Sequence, residues 1–149
     1  MLDQLAELSP ARAIADSIAV FAGVESLHIM FIAFLGGCVL VSGLAGVGAA
    51  PRGIAPAALL QGLRWPYRGA IAGAAITGAL LFATSAQKYL SNPLFTVKLI
   101  LLASAIAVQV LLARSLARPG GAGWSRLFGI ASLLLWLGAI TAGRWIGLI

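Results

Sequence analysis

The stretch VESLHIMFIAFLGGCVLVSGL, residues 24–44, decides the fold. Past its first turn it carries no charged side chain, and it meets the ~20 apolar residues that a helix needs to cross a bilayer core. Glu25 and His28, the chain's single histidine, open the run. Three residues apart, they share one helix face. An acid and an imidazole at the mouth of so apolar a segment call for an explanation from the rest of the chain.

Composition supports a lipid environment. Of the 149 residues 61% are hydrophobic and only 9% charged, with a mean hydropathy of +1.03. A soluble domain carries about 25% charged residues. One core of this size cannot hide so much apolar surface, and lipid must act as solvent for the remainder. The 18 glycines fit closely packed membrane helices. There is no strand-like alternation of the kind an outer-membrane barrel needs, and no repeat with a period of about 20–50 residues. The net charge of +6 does not imply nucleic acid, because basic residues in such chains mark cytoplasmic loops. Cys38 stands alone, which excludes an intrachain disulfide. Asp3 and Glu7 precede any basic residue. That is the wrong charge for a secretory signal, so the first apolar run is expected to be retained.

Four spans are expected, at about 24–44, 69–85, 95–113 and 127–145. The predicted fold is all-α, a bundle of four transmembrane helices (residues 23–149) preceded by an N-terminal interfacial amphipathic helix (residues 1–22). Ser9 and Pro10 supply the start signal for that first helix. Arg12, Asp16 and Ser17 lie on one side of it and Ile14, Ile18 and Phe21 on the other. Only Gly23 stands against its continuing into the first span. Pro56 followed by AALLQGLRW suggests a separate short helix on the membrane surface, with Trp65 and Tyr67 as interface anchors.

The loops set the orientation. Arg52, Arg64 and Arg68 separate spans one and two, and Arg114, Arg118 and Arg126 flank the turn between spans three and four. Both groups fall on one side. The positive-inside rule places them in the cytoplasm and both termini in the periplasm of a bacterial inner membrane. The opposite ends then gather Glu25, His28, Tyr89, Asn92, Lys98 and Arg144 at one level. Pairing of Glu25 with Lys98 or Arg144 would offset the cost of ionisable groups in a span.

This polar cluster is the candidate ligand site. Glu-x-x-His is half of the di-metal carboxylate motif, but it occurs once, and no metal site is assigned. With one histidine, bis-histidine haem ligation within the chain is excluded; ligation across a dimer, or by His28 with a methionine, remains as an alternative, although Met30, the only internal methionine, points to a different helix face. Copper held by His28 and Cys38 fails on distance, since ten residues rise ~15 Å along a helix. Lys98, Arg144, Tyr89 and His28 suit an anionic or quinone-like ligand better, or a proton path. No nucleophile–base pair, phosphate loop or metalloprotease motif is present, so an enzyme is not indicated.

Two Gly-xxx-Gly patterns, Gly69/Gly73 and Gly143/Gly147, are candidate helix-packing sites, within the bundle or against another chain. The favoured expectation is a non-catalytic accessory or assembly subunit, a homo-oligomer or part of a larger membrane complex, whose surroundings are the lipid bilayer. The alternative is a protein binding a small molecule or redox cofactor (quinone, haem or copper) at the periplasmic end. The sequence names no cofactor.

The segments at residues 14–37, 77–102 and 133–149 carry Ser17, Glu25, His28, Thr77, Gly78, Tyr89, Asn92, Pro93, Lys98, Trp136, Gly143, Arg144 and Trp145. In these residues the chain resembles an uncharacterised bacterial family of four-span inner-membrane proteins, a domain of unknown function. The family tends to carry DLRLLG where this chain reads VSGLAG, residues 41–46, and a proline before the glutamate where this chain has Ala22 and Gly23. More distantly the layout is similar to copper-resistance membrane proteins and cytochrome-b-type bundles, which use several histidines.

Overall fold

The computed structural model describes residues 9–118 and 120–146. Six helices follow one another: α1 (Ser9–Ala15), α2 (Ile18–Gly46), α3 (Pro56–Thr84), α4 (Ala86–Ser91), α5 (Pro93–Leu116) and α6 (Ala122–Ile146). No strand occurs among the described residues. Helices α2, α3, α5 and α6 are each long and apolar enough to cross a membrane.

Local sequence explains the boundaries. Ser17 is extended and its Oγ accepts from the Val20 amide, which starts α2 after a break at Asp16. The break thus falls before the expected boundary at residues 22 and 23: Ile18 and Phe21 belong to α2. Asn92 caps α5 in the same way, its Oδ1 accepting from the Leu94 amide at 3.0 Å. Pro93 at the first helical position needs no partner for its missing N–H. At the other end of the bundle, Gly48 and Gly53 adopt positive φ and carry the chain from α2 towards α3.

Helix α3 corrects the sequence reading. The expected surface helix after Pro56 and the short second span are one continuous helix of 29 residues. Pro66 lies inside it, where its ring removes one backbone hydrogen bond without ending the helix. At 1.5 Å per residue α3 rises ~43 Å, more than a ~30 Å hydrocarbon core.

The short connections make successive long helices antiparallel. Helix α2 packs on α3 and α6, and α6 packs on α5, while α3 and α5 meet only sparsely. The core is formed by Leu35, Val39, Ala70, Ala105 and Trp136, with Tyr67, Ile71, Leu102 and Leu133 against it. Helix α1 folds back onto α2 and α3 through Ile14, which is only 6% exposed.

Two devices bind α2, α5 and α6 together. At the first, backbones touch: a Cβ on Gly129 would stand 2.8 Å from the Gly43 carbonyl oxygen, and one on Gly46 3.0 Å from the Gly129 Cα. At the second, Gln109 donates from Nε2 to Ser42 Oγ at 2.7 Å and accepts at Oε1 from Ser132 Oγ at 2.7 Å. All three side chains are buried. With both ends of the amide paired across helices, the network carries no unmet polar group of its own.

Candidate functional site

The start of α2, the end of α3, the start of α5 and the end of α6 lie at one end of the bundle, and His28 is the centre of that end. Its Nδ1 lies 2.8 Å from Thr77 Oγ1 on α3. One arrangement of protons satisfies both of the Thr77 contacts. Thr77 has one hydroxyl hydrogen, and the Gly73 carbonyl, 2.7 Å away and unable to donate, takes it. His28 Nδ1–H therefore donates to Thr77 Oγ1, and in the neutral ring Nε2 holds the lone pair. The Ala74 carbonyl also acts on the ring. Gly78 makes room for it: a Cβ there would lie 3.0 Å from His28 Cε1.

Lys98 enters the same end from α5. It is half-buried, lying against Gly143 of α6, where a Cβ would stand 3.3 Å from its Cε and 3.4 Å from its Nζ. Its charge and that of Glu25 both act on His28. The sequence suggested an ion pair between Glu25 and Lys98 or Arg144. None joins these residues, and Glu25 is not among the groups acting on Lys98. Glu25 and Arg144 are exposed. Lys98 thus brings a positive charge into the bundle with no carboxylate to neutralise it among the described residues.

An aromatic group borders this end. Phe82 of α3, Tyr89 of α4 and Phe95 of α5 have ring centroids 5.4–6.1 Å apart. Burial pushes the Tyr89 phenol above its ordinary pKa, and the nearby Glu25 carboxylate pushes it the same way.

The sequence candidates divide accordingly. His28 and Lys98 turn inward and Glu25 stands beside them, whereas Tyr89 is a stacking residue and Asn92 a helix cap. Of the packing glycines, Gly73 lies beneath the Phe31 ring and Gly143 beneath Lys98, but Gly69 has nothing within 4 Å. Gly147 lies outside the described residues. The close helix contact instead uses Gly43, Gly46 and Gly129.

Thr77 and Gly78, noted in the sequence only as part of the resemblance, complete the His28 setting. The Ser42–Gln109–Ser132 network went unnoticed in the sequence, although an amide inside a span is a legible sign of an interhelical bond. Trp136 Nε1 and Tyr67 OH are buried with no hydrogen-bond partner.

As chemistry, this end offers a lone pair on Nε2 and a cation on Lys98, in surroundings of low polarity. Among the described residues no three His, Cys, Asp or Glu side chains converge as a metal site would require.

No curated protein and no solved structure matches the chain. Residues 12–149 match one described family, and they include every residue of the His28–Thr77 and Lys98–Gly143 contacts. With all but its first residues matched, the chain belongs to the family of unknown function DUF6644.

Proposed function

We propose that this chain is a multi-pass inner-membrane protein, both termini periplasmic, that binds a quinone-type small molecule at the His28 end of its bundle. The observation that carries the reading is the 2.8 Å contact between His28 Nδ1 and Thr77 Oγ1, which turns the ring inward beside Lys98. With Nδ1–H committed to Thr77, Nε2 is the ring's acceptor, and the unneutralised Lys98 acts on the same ring. A quinol hydroxyl would donate to Nε2, and a quinone or quinol oxygen would accept from the Lys98 ammonium. Haem or copper would draw on the same Nε2.

The test is chemical extraction. Protein purified in mild detergent is expected to release a quinone in near-equimolar amount, and His28→Ala is expected to release little or none. A Soret band lost in His28→Ala would assign haem to the site instead. Wild-type protein free of quinone, haem and metal would end the ligand reading.

A second reading, an accessory subunit or homo-oligomer packing on other membrane chains, rests on different residues. Gly36, Gly37 and Gly69 have nothing within 4 Å, a bare surface on which another helix could approach closely. Mass measurement in detergent or lipid discs separates the two: this reading expects more than one copy, or a copurifying chain.

A further inference from the structure

Six of the eight arginines, Arg52, Arg64, Arg68, Arg114, Arg118 and Arg126, lie at the end of the bundle opposite His28, and all six are exposed. The carboxylates among the described residues, Asp16 and Glu25, lie at the His28 end. A guanidinium does not give up its proton in a protein. These arginines therefore hold a positive charge that no described side chain at their own end neutralises.

Helix α3 sets the depth of two of them. Counted back from its end at Thr84, a ~30 Å hydrocarbon core uses about twenty residues of helix and stops beside Arg64 and Trp65. Trp65 is 73% exposed, and Trp124 of α6, at the same end, is 63% exposed. Exposed indoles at a span's end settle at headgroup level. Tyr67, two residues along from Trp65, instead packs on the core with its hydroxyl buried. The face of α3 that carries Arg64, Trp65 and Arg68 thus looks outward.

Arg68 starts about one turn deeper than Arg64, and the two share one side of the helix. Its side chain reaches back, so that the guanidinium carbon lies 5.4 Å from the centre of the Trp65 ring. The charge stands at the level of the indole rather than in hydrocarbon. Two forked donors are thereby held side by side at the depth of lipid phosphates.

We propose that Arg64 and Arg68, levelled by Trp65, form a site for the headgroup of an anionic phospholipid. The phosphodiester oxygens accept from the guanidiniums, whose planar forks match them. A lipid fits better than an acidic protein because the charges stand at the depth of its phosphates, with the rest of α3 below them in hydrocarbon. The site is independent of the ligand at His28 and of which side of the membrane this end occupies.

The full-length protein in detergent is titrated with dioleoyl phosphatidylglycerol and, separately, with dioleoyl phosphatidylcholine, and native mass spectrometry reads the bound fraction. Wild type is expected to prefer phosphatidylglycerol by about tenfold or more. Arg64→Gln and Arg68→Gln are each expected to weaken it about fivefold, and together about twentyfold, with phosphatidylcholine unchanged. Lys88→Gln removes one charge from an exposed position at the other end and is expected to change neither lipid.

Equal affinity of wild type for the two lipids, an undiminished double variant, or an equal loss in Lys88→Gln would overturn the proposal. Displacement of phosphatidylglycerol by an equal concentration of inorganic phosphate would make this a site for a free anion, and overturns it too. So does a double variant that sheds a copurifying acidic protein while keeping phosphatidylglycerol, which would give the arginines to that protein.

Discussion

Gly129 of α6 rests on the backbone of α2, so close that a methyl group at 129 would stand 2.8 Å from the Gly43 carbonyl oxygen. Backbone cannot retreat as a flexible side chain can. Gly129→Ala is expected to destabilise the bundle by about 1–3 kcal/mol. Gly43→Ala first meets the Leu133 side chain, which can give way, and is expected to cost less. Thermal unfolding in detergent compares the two.

Thr77→Val removes the acceptor for His28 Nδ1–H. The chain has a single histidine, so its ring nitrogens can be followed without assignment. Nitrogen NMR at a pH where the ring is neutral is expected to show the Nδ1–H tautomer in wild type. In Thr77→Val the Nε2–H form that free imidazoles prefer should appear, and quinone binding should weaken about tenfold. An Nε2–H wild type would remove the basis for treating Nε2 as an acceptor.

Gln109→Leu leaves Ser42 and Ser132 without their shared partner. Interhelical hydrogen bonds in membranes average about 0.6 kcal/mol each, and a loss of about 1 kcal/mol is expected. The triple variant with Ser42→Ala and Ser132→Ala should recover part of it, because no buried hydroxyl is then stranded. A triple variant weaker than Gln109→Leu would contradict this account.

Tyr89 titrates late because burial and Glu25 both disfavour its phenolate. In a Tyr67→Phe background, phenolate absorbance is expected above the ordinary value of about 10. Glu25→Gln should bring the midpoint partway down. The raised value favours the folded state while the phenol stays protonated. That contribution is present below the unfolded value and lost as pH rises through the folded one.

Orientation is open to labelling. In a Cys38→Ser background, cysteine at Gln87 is expected to react with a membrane-impermeant maleimide from the periplasmic side of intact cells. Cysteine at Arg52 should react only after lysis. The reverse pattern would invert the topology.

The four long helices were legible because apolar runs announce themselves by composition alone. Their ends were less so. Arg64, Pro66 and Arg68 break the apolar run before span two, yet the α3 backbone passes through them unbroken. Hydropathy measures what a residue prefers to touch, not whether the helix continues. Likewise His28 and Lys98 were conspicuous as ionisable groups in apolar surroundings. Thr77 was not, since a threonine in such a helix ordinarily bonds back to its own turn. It does so here, and its partnership with His28 arises only because the fold brings together two residues 49 positions apart. The Gly-xxx-Gly spacing describes one helix: Gly73 and Gly143 do meet side chains of other helices, but the close backbone approach at Gly129 depends on the glycines of α2 that face it.

The ring group of Phe82, Tyr89 and Phe95 sits where α3, α4 and α5 meet, whereas α3 and α5 touch little elsewhere. The two helices are thus tied to each other by rings at one end, while along the rest of their length α3 is held by α2 and α5 by α6.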